Sequence, residues 1–304
     1  LNHSTASTFI QMGYRGGRGE LNLTGGSLIN DGQTIQVRYS SGNSTGIVNL
    51  CAGSLSLDAF LNNSTGTAWL NFRGGTLKAS ADSSAFIPST MTGVYSYGPA
   101  DAFAGGAVID TAGKNVTVAE PIQAPSGNGV YAINLTTQGS GYIGEPYVSI
   151  TGGGGFGAAA VANMVDDGSG YGTYKVGSVT ITSPGCGFTG TPAVAFLRGG
   201  NGVVAPAVAS VTLSPNTSGG LAKLGAGTLT LSAANTYTGV TTIAGGTLKL
   251  TNAKALLTQT QVVLAGGTLD LNGYAITNAL GGSGVVTNGT VQAWLSPAGE
   301  NVIG

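Results

Sequence analysis

The chain has 304 residues, of which 54 are glycine and only 8% are charged, with a net charge of −1. So neutral a surface offers no electrostatic hold on nucleic acid or an anionic membrane, while 41% hydrophobic residues is too many for a disordered chain. Weak charge also removes repulsion between copies, which favours self-association.

No run of about 18 apolar residues occurs, so no membrane span is expected. Leu1 opens inside repeat-like text, which reads as a processed or partial chain.

In chain order, one phrase recurs. It stands as Gly25-Gly26-Ser27-Leu28, Ala52-Gly53-Ser54-Leu55, Gly74-Gly75-Thr76-Leu77 and Gly105-Gly106-Ala107-Val108. It returns as Ala226-Gly227-Thr228-Leu229, Gly245-Gly246-Thr247-Leu248 and Gly266-Gly267-Thr268-Leu269. Beside the phrase, Leu229 and Leu231 bracket Thr230, Leu248 and Leu250 bracket Lys249, and Leu269 and Leu271 bracket Asp270. Period two sends leucines to one face and polar residues to the other, with the glycines at the corners. Coils of this kind predict an all-β solenoid, a parallel β-helix whose core grows along one axis.

The expected divisions are coils over 1–126, a glycine-rich insert over 127–217, and regular coils over 218–304. Without the insert, roughly eleven coils of about 20 residues are expected. The insert duplicates itself at an offset of 46: Gly139-Ser140-Gly141-Tyr142-Ile143-Gly144-Glu145-Pro146 matches Gly185-Cys186-Gly187-Phe188-Thr189-Gly190-Thr191-Pro192. Two such copies predict a small β-domain with pseudo-twofold symmetry.

The stretch Gly220-Leu221-Ala222-Lys223-Leu224-Gly225-Ala226-Gly227-Thr228-Leu229-Thr230-Leu231-Ser232 continues through Asn235-Thr236-Tyr237-Thr238-Gly239 to Gly245-Gly246-Thr247-Leu248. It resembles the autotransporter-associated β-strand repeat, the passenger-associated transport repeat of secreted β-helix passengers of environmental bacteria. The resemblance implies an extracellular or cell-surface, right-handed parallel β-helix without catalytic residues. The membrane barrel that ends an autotransporter is not recognisable in this text.

The side chains point away from catalysis. Polysaccharide-cleaving solenoids need clustered carboxylates. Here the acids are scattered, and the adjacent pair Asp166-Asp167 lies in a hairpin-like Asp-Asp-Gly-Ser-Gly-Tyr run. His3 is the sole histidine, too little for a triad or a metal site. The pair Arg15 and Arg18 reads as a solvated turn, and Gly152–Gly155 lacks the lysine of a phosphate loop. No cofactor and no metal are expected.

Cys51 takes the place of Thr24 and Arg73 in sister coils, and Cys186 the place of Ser140. Both are therefore expected to face outward, where they are disulfide candidates within or between subunits. Asn22, Asn43, Asn63, Asn115, Asn134, Asn216 and Asn288 each stand in a glycosylation sequon. Tyr95, Tyr97, Tyr142, Tyr147, Tyr171 and Tyr174 fall in turns and in the insert, where exposed rings could stack on sugars.

Neither end carries a polar cap. Phe9 and Ile10 at one end, and Val302 and Ile303 at the other, are candidate subunit contacts. The leading expectation is an extracellular structural protein, a filament or surface-layer subunit built from copies of itself. The alternative is an adhesin that binds glycans or cell surfaces through the insert.

Overall fold

The structure, a computed structural model, describes residues 10–13, 16–38, 43–62, 66–100, 103–200 and 207–292. It divides into two compact units, residues 1–124 with 217–304, and residues 125–216.

The first unit is a parallel β-helix with three faces, visited in the order A, B, C. Face A stacks 18–24, 44–50, Gly66–Phe72, Gly93–Ser96 and Ile122–Gln123 in parallel. Face B stacks 27–30, 54–57, Thr76–Ala79, Ala107–Asp110, Leu221–Leu224, Thr241–Ile243, 262–265 and 280–283. Face C carries Ile10–Gln11, 34–38 and 59–62, then Ser83–Ile87, Val116–Val118, Thr228–Leu231, Thr247–Leu250, 268–270 and 285–287.

Face B therefore counts eight rungs among the described residues, fewer than the eleven coils expected. Early coils are longer than the sequence spacing of late ones. Asn49 lies 27 residues beyond its stacked partner Asn22, whereas Asn235 bonds to a carbonyl only 20 residues away in the next coil. Long turns, not extra coils, absorb the difference.

Alternation places the core. On face C, Val116, Leu229, Leu248, Leu269 and Val286 form one inward column, all at least nine-tenths buried. Thr117, Thr230, Lys249, Asp270 and Thr287 form the outward column beside it. Burying one such leucine contributes about 1.5–3 kcal/mol.

The glycine phrase does not keep to one corner. Ser27-Leu28 and Thr76-Leu77 begin face B, whereas Thr228-Leu229, Thr247-Leu248 and Thr268-Leu269 lie on face C. The same words serve two corners, because each only needs a tight turn followed by a strand.

Beyond Ile122, face A has few strands, and buried asparagines supply the missing bonds. Asn235 Oδ1 accepts from the Ile122 amide at 2.8 Å while its Nδ2 donates to the Ala255 carbonyl at 2.7 Å. Asn278 donates to the Leu257 and Thr260 carbonyls at 2.7 and 2.8 Å.

The second unit is built from two three-stranded repeats. The first supplies Asn128–Thr137, Tyr147–Thr151 and Ala159–Asp166; the second supplies Tyr174–Ser183, Ala193–Leu197 and Val208–Pro215. The extended ladders all run between repeats. Asn128–Thr137 pairs with Val208–Pro215, and Tyr174–Ser183 with Ala159–Asp166. The middle strands pair with each other around Ser149 and Ala195, which are equivalent residues of the duplication.

Both outer ladders carry two irregularities at matching places, after Val130 and Leu135 in one, and at Val176 and Ile181 in the other. The duplication is thus a pseudo-twofold, repeated down to its bulges. The aromatic of each copy packs on a glycine of the other, Phe188 against Gly155 and Tyr142 against Gly199. A side chain at Gly155 would occupy the space of the Phe188 ring.

Coil stacking makes a paired prediction. At Gly46 a Cβ would collide with the Val37 carbonyl oxygen, whereas at Gly25 it would meet nothing within 4 Å. Urea denaturation should find Gly46→Ala destabilised by at least about 2 kcal/mol, and Gly25→Ala changed by less than about 1. Equal midpoints for the two variants would contradict this packing.

Candidate functional site

Lys223 is the most unusual side chain of the first unit. In the face B register it stands between Ile109 and Ile243, an inward position occupied by apolar residues in both neighbouring coils. Its side chain is fully buried. Nζ donates to Thr111 Oγ1 at 2.9 Å, to the Leu224 and Gly225 carbonyls at 2.9 and 2.6 Å, and to the Gly245 carbonyl at 3.0 Å. One ammonium thus binds three successive coils at the corner between faces B and C. Burial pulls its pKa down to about 8, against the opposing pull of Asp110.

A second polar column lies on face A. Asn71 Nδ2 donates to Asn49 Oδ1, and Asn49 Nδ2 donates to Asn22 Oδ1, both at 2.7 Å. Beside it Arg73 is fully buried, with its guanidinium 4.8 Å from the centre of the Phe103 ring.

Cys51 corrects the outward placement expected of it. It is 1% exposed, because a bulge opposite Leu23 and Thr24 inserts it as an extra residue and Arg73 covers it. Burial pushes its pKa to about 11, with Arg73 opposing. Cys186 is also 1% exposed, held where its backbone exchanges two hydrogen bonds with Phe156. Both carry thiols in the structure, not a disulfide. At such burial, a bond to another subunit would first require local opening.

The sequons divide. Asn43, Asn115, Asn134 and Asn288 are exposed, and Asn63 lies outside the described residues. Asn22 is half-buried in the amide column. The Asn216 amide donates to the Ser126 and Gly185 carbonyls, bonds that a sugar would break.

Among the contact candidates, Phe9, Val302 and Ile303 lie outside the described residues, as do His3 and Arg15. Ile10 is half-buried against its own unit's core. Arg18 pairs with Glu20.

Of the tyrosines, Tyr97 and Tyr142 are buried, and Tyr171 is 88% exposed. The Asp166-Asp167 run forms the hairpin between the two repeats. Asp167 accepts from the Ser169 amide, the Thr173 hydroxyl and the Gly141 amide, which hold its carboxyl well below the usual range. Glu120 is pushed up to about 7 by burial.

What the sequence reading missed is concentrated at two places. Lys223 lies two residues after the buried Leu221 of a Leu-Ala-Lys-Leu run and shares its inward face, while Leu224 takes the other phase. A leucine in each phase leaves the run's inward face ambiguous, and the register with Ile109 and Ile243 settles it. The other is the first described coil. Strand segments 18–24 and 27–30 pair on one side only, among the described residues. Leu21, Leu23 and Leu28 pack on the core but stay half-buried, whereas their register partners Val48, Leu50 and Leu55 are fully buried.

Compared with known proteins, residues 221–250 match the family model described as Passenger-associated-transport-repeat. The match begins at face B of one coil and ends at face C of the next. No curated protein and no solved structure matches the chain. Fold and match together define the class, a parallel β-helix carrying a repeat of the autotransporter-passenger type. That repeat marks secreted or cell-surface proteins and is not enzymatic in general.

Lys223 makes a pH prediction with a definite sign. Its folded pKa of about 8 lies below the ordinary 10.5, so between these values the unfolded chain holds more protons. Stability contributed at this site therefore rises with pH across that window. Lys223→Met, which deprives the Gly225 and Gly245 carbonyls of this donor, should cost about 1–3 kcal/mol at pH 7. The gap between the natural protein and the variant should widen from pH 8 to 10.5. A gap that stays flat or narrows would contradict the buried ammonium.

Proposed function

We propose that this chain is an extracellular structural subunit, of a filament or a surface layer, that associates with copies of itself coil on coil. The observation that supports this reading is the half-covered trio Leu21, Leu23 and Leu28. In a β-helix such side chains are sealed by the next coil, as Val48, Leu50 and Leu55 are. A parallel edge that is unpaired among the described residues, as in 18–24 and 27–30, is a template for another strand. The near-zero net charge removes the repulsion that would oppose it. The reading assigns no catalytic step.

The test places a charge in the first described coil. Leu23→Lys leaves the coils beneath in place but puts an ammonium where a neighbouring coil would pack. Sedimentation and electron microscopy should find the natural protein elongating with concentration, and the variant associating at least tenfold more weakly, the loss of about 1.4 kcal/mol or more. A natural protein that stays monomeric, or a variant that associates as well, would sink the reading.

A second reading, an adhesin acting through residues 125–216, is favoured by where the apolar exposure falls. Ile143, Tyr147, Phe156, Tyr171, Tyr174 and Leu197 are all exposed in that unit. Exposed rings on a neutral surface suit stacking on glycans. Joining Ala124 to Thr217 should abolish binding to a glycan or cell-surface panel while the circular dichroism of the solenoid persists. Binding that survives the deletion excludes this reading.

A further inference from the structure

We propose that residues 125–216 form an exchange module, in which the first repeat of one chain pairs with the second repeat of another chain. The interface for this already exists within one chain. Each outer ladder joins the first strand of one repeat to the third strand of the other, and the central ladder joins the two middle strands. Within a repeat, the strand pairing among the described residues is the single Tyr147–Val161 contact. A repeat thus finds most of its backbone partners outside itself, and an identical second copy offers the same partners.

The covalent link between the repeats is held locally. The segment 167–173 follows the last hairpin pair, Asp166 with Tyr174. Its bonds are made mainly inside the turn: Asp166 to the Gly168 amide, and Asp167 to the Ser169 amide and the Thr173 hydroxyl. Asp167 reaches outside it to the Gly141 amide at 3.1 Å. Tyr171, at the turn's tip, is 88% exposed, and its amide donates to Ser169 Oγ within the turn at 3.2 Å.

Opening the turn therefore leaves every ladder available for re-forming between chains. The closed monomer is favoured by effective concentration and by the turn's own hydrogen bonds, and exchange is favoured where chains fold side by side. Such a link would join chains through their inserts. It is independent of coil-on-coil association, so it is tested in the Leu23→Lys background, where that association is blocked.

The first test deletes 167–173, joining Asp166 directly to Tyr174. Closing the Ala159–Asp166 ladder within one chain would then require Asp166 and Tyr174 to give up their pair and form a two-residue turn, for which a tyrosine is poorly suited, so pairing with a second molecule is favoured. Light scattering should give twice the chain mass for a protein with unchanged circular dichroism. A folded monomer would overturn the proposal.

The second test keeps the turn. Ser149→Cys and Ala195→Cys face each other across the pseudo-twofold, and the native Cys51 and Cys186 are buried. Carried together on one chain, the two new cysteines should close an internal bond under mild oxidation, which serves as the control. Carried on separate co-expressed chains, they should yield a covalent species of twice the chain mass, absent when either variant is expressed alone. Failure of that species to form, with the control intact, would overturn exchange even if the deletion variant does not fold.

Discussion

Everything in the first unit depends on the hydrogen-bonded register between one coil and the next. A parallel strand has no partner within its own coil, so each must meet the next coil at the same height on every face. That requirement explains why the inward columns are so uniform, as with Val116, Leu229, Leu248, Leu269 and Val286. It also explains the buried asparagines. Where face A lacks strands, Asn235 and Asn278 complete the bonding that a strand would otherwise supply. A coil in the middle of the stack is sealed on both sides, as at Val48, Leu50 and Leu55, whereas Leu21, Leu23 and Leu28 of the first described coil are half-buried.

The same requirement shows how a unit of some ninety residues is accommodated. The insertion enters at the corner between faces A and B, after Ile122–Gln123 and before Leu221–Leu224. Leu221–Leu224 then pairs directly with Ala107–Asp110, as though nothing intervened. Corners tolerate long insertions because closing a longer loop costs little extra entropy. Lys223 lies in the first strand after the insertion. Its ammonium binds Thr111 from before it and Gly245 from the coil after. The buried charge thus ties together the coils that the insertion separates in sequence.

The coils were legible because period two is a local property. The text around Leu229, Leu248 and Leu269 states its own inward face, and the passenger-type repeat could be recognised from the same residues. Which corner a glycine phrase occupies was not legible, since that depends on the coil above and below. For the same reason Cys51 was misplaced: its burial follows from a bulge against a neighbouring coil and from Arg73, both far away in sequence. The duplication at residues 139–146 and 185–192 was plain to read. That its ladders run between the copies was not, because a duplication is compatible with two separate folds or one shared fold.

The central claim is that the insertion interrupts the sequence and not the stack. Amide hydrogen exchange tests it most directly. The Ala107 amide donates to the Gly220 carbonyl at 2.9 Å and the Thr111 amide to the Leu224 carbonyl at 3.1 Å, across the insertion. The Leu221 and Thr241 amides make the corresponding bonds between coils that no insertion separates, to Val240 at 3.0 Å and Gln261 at 2.9 Å. A continuous β-helix predicts protection factors within about tenfold of one another at all four amides, since they open as one cooperative stack. Rapid exchange at Ala107 and Thr111, with Leu221 and Thr241 still protected, would mean two separate solenoids and would contradict the account.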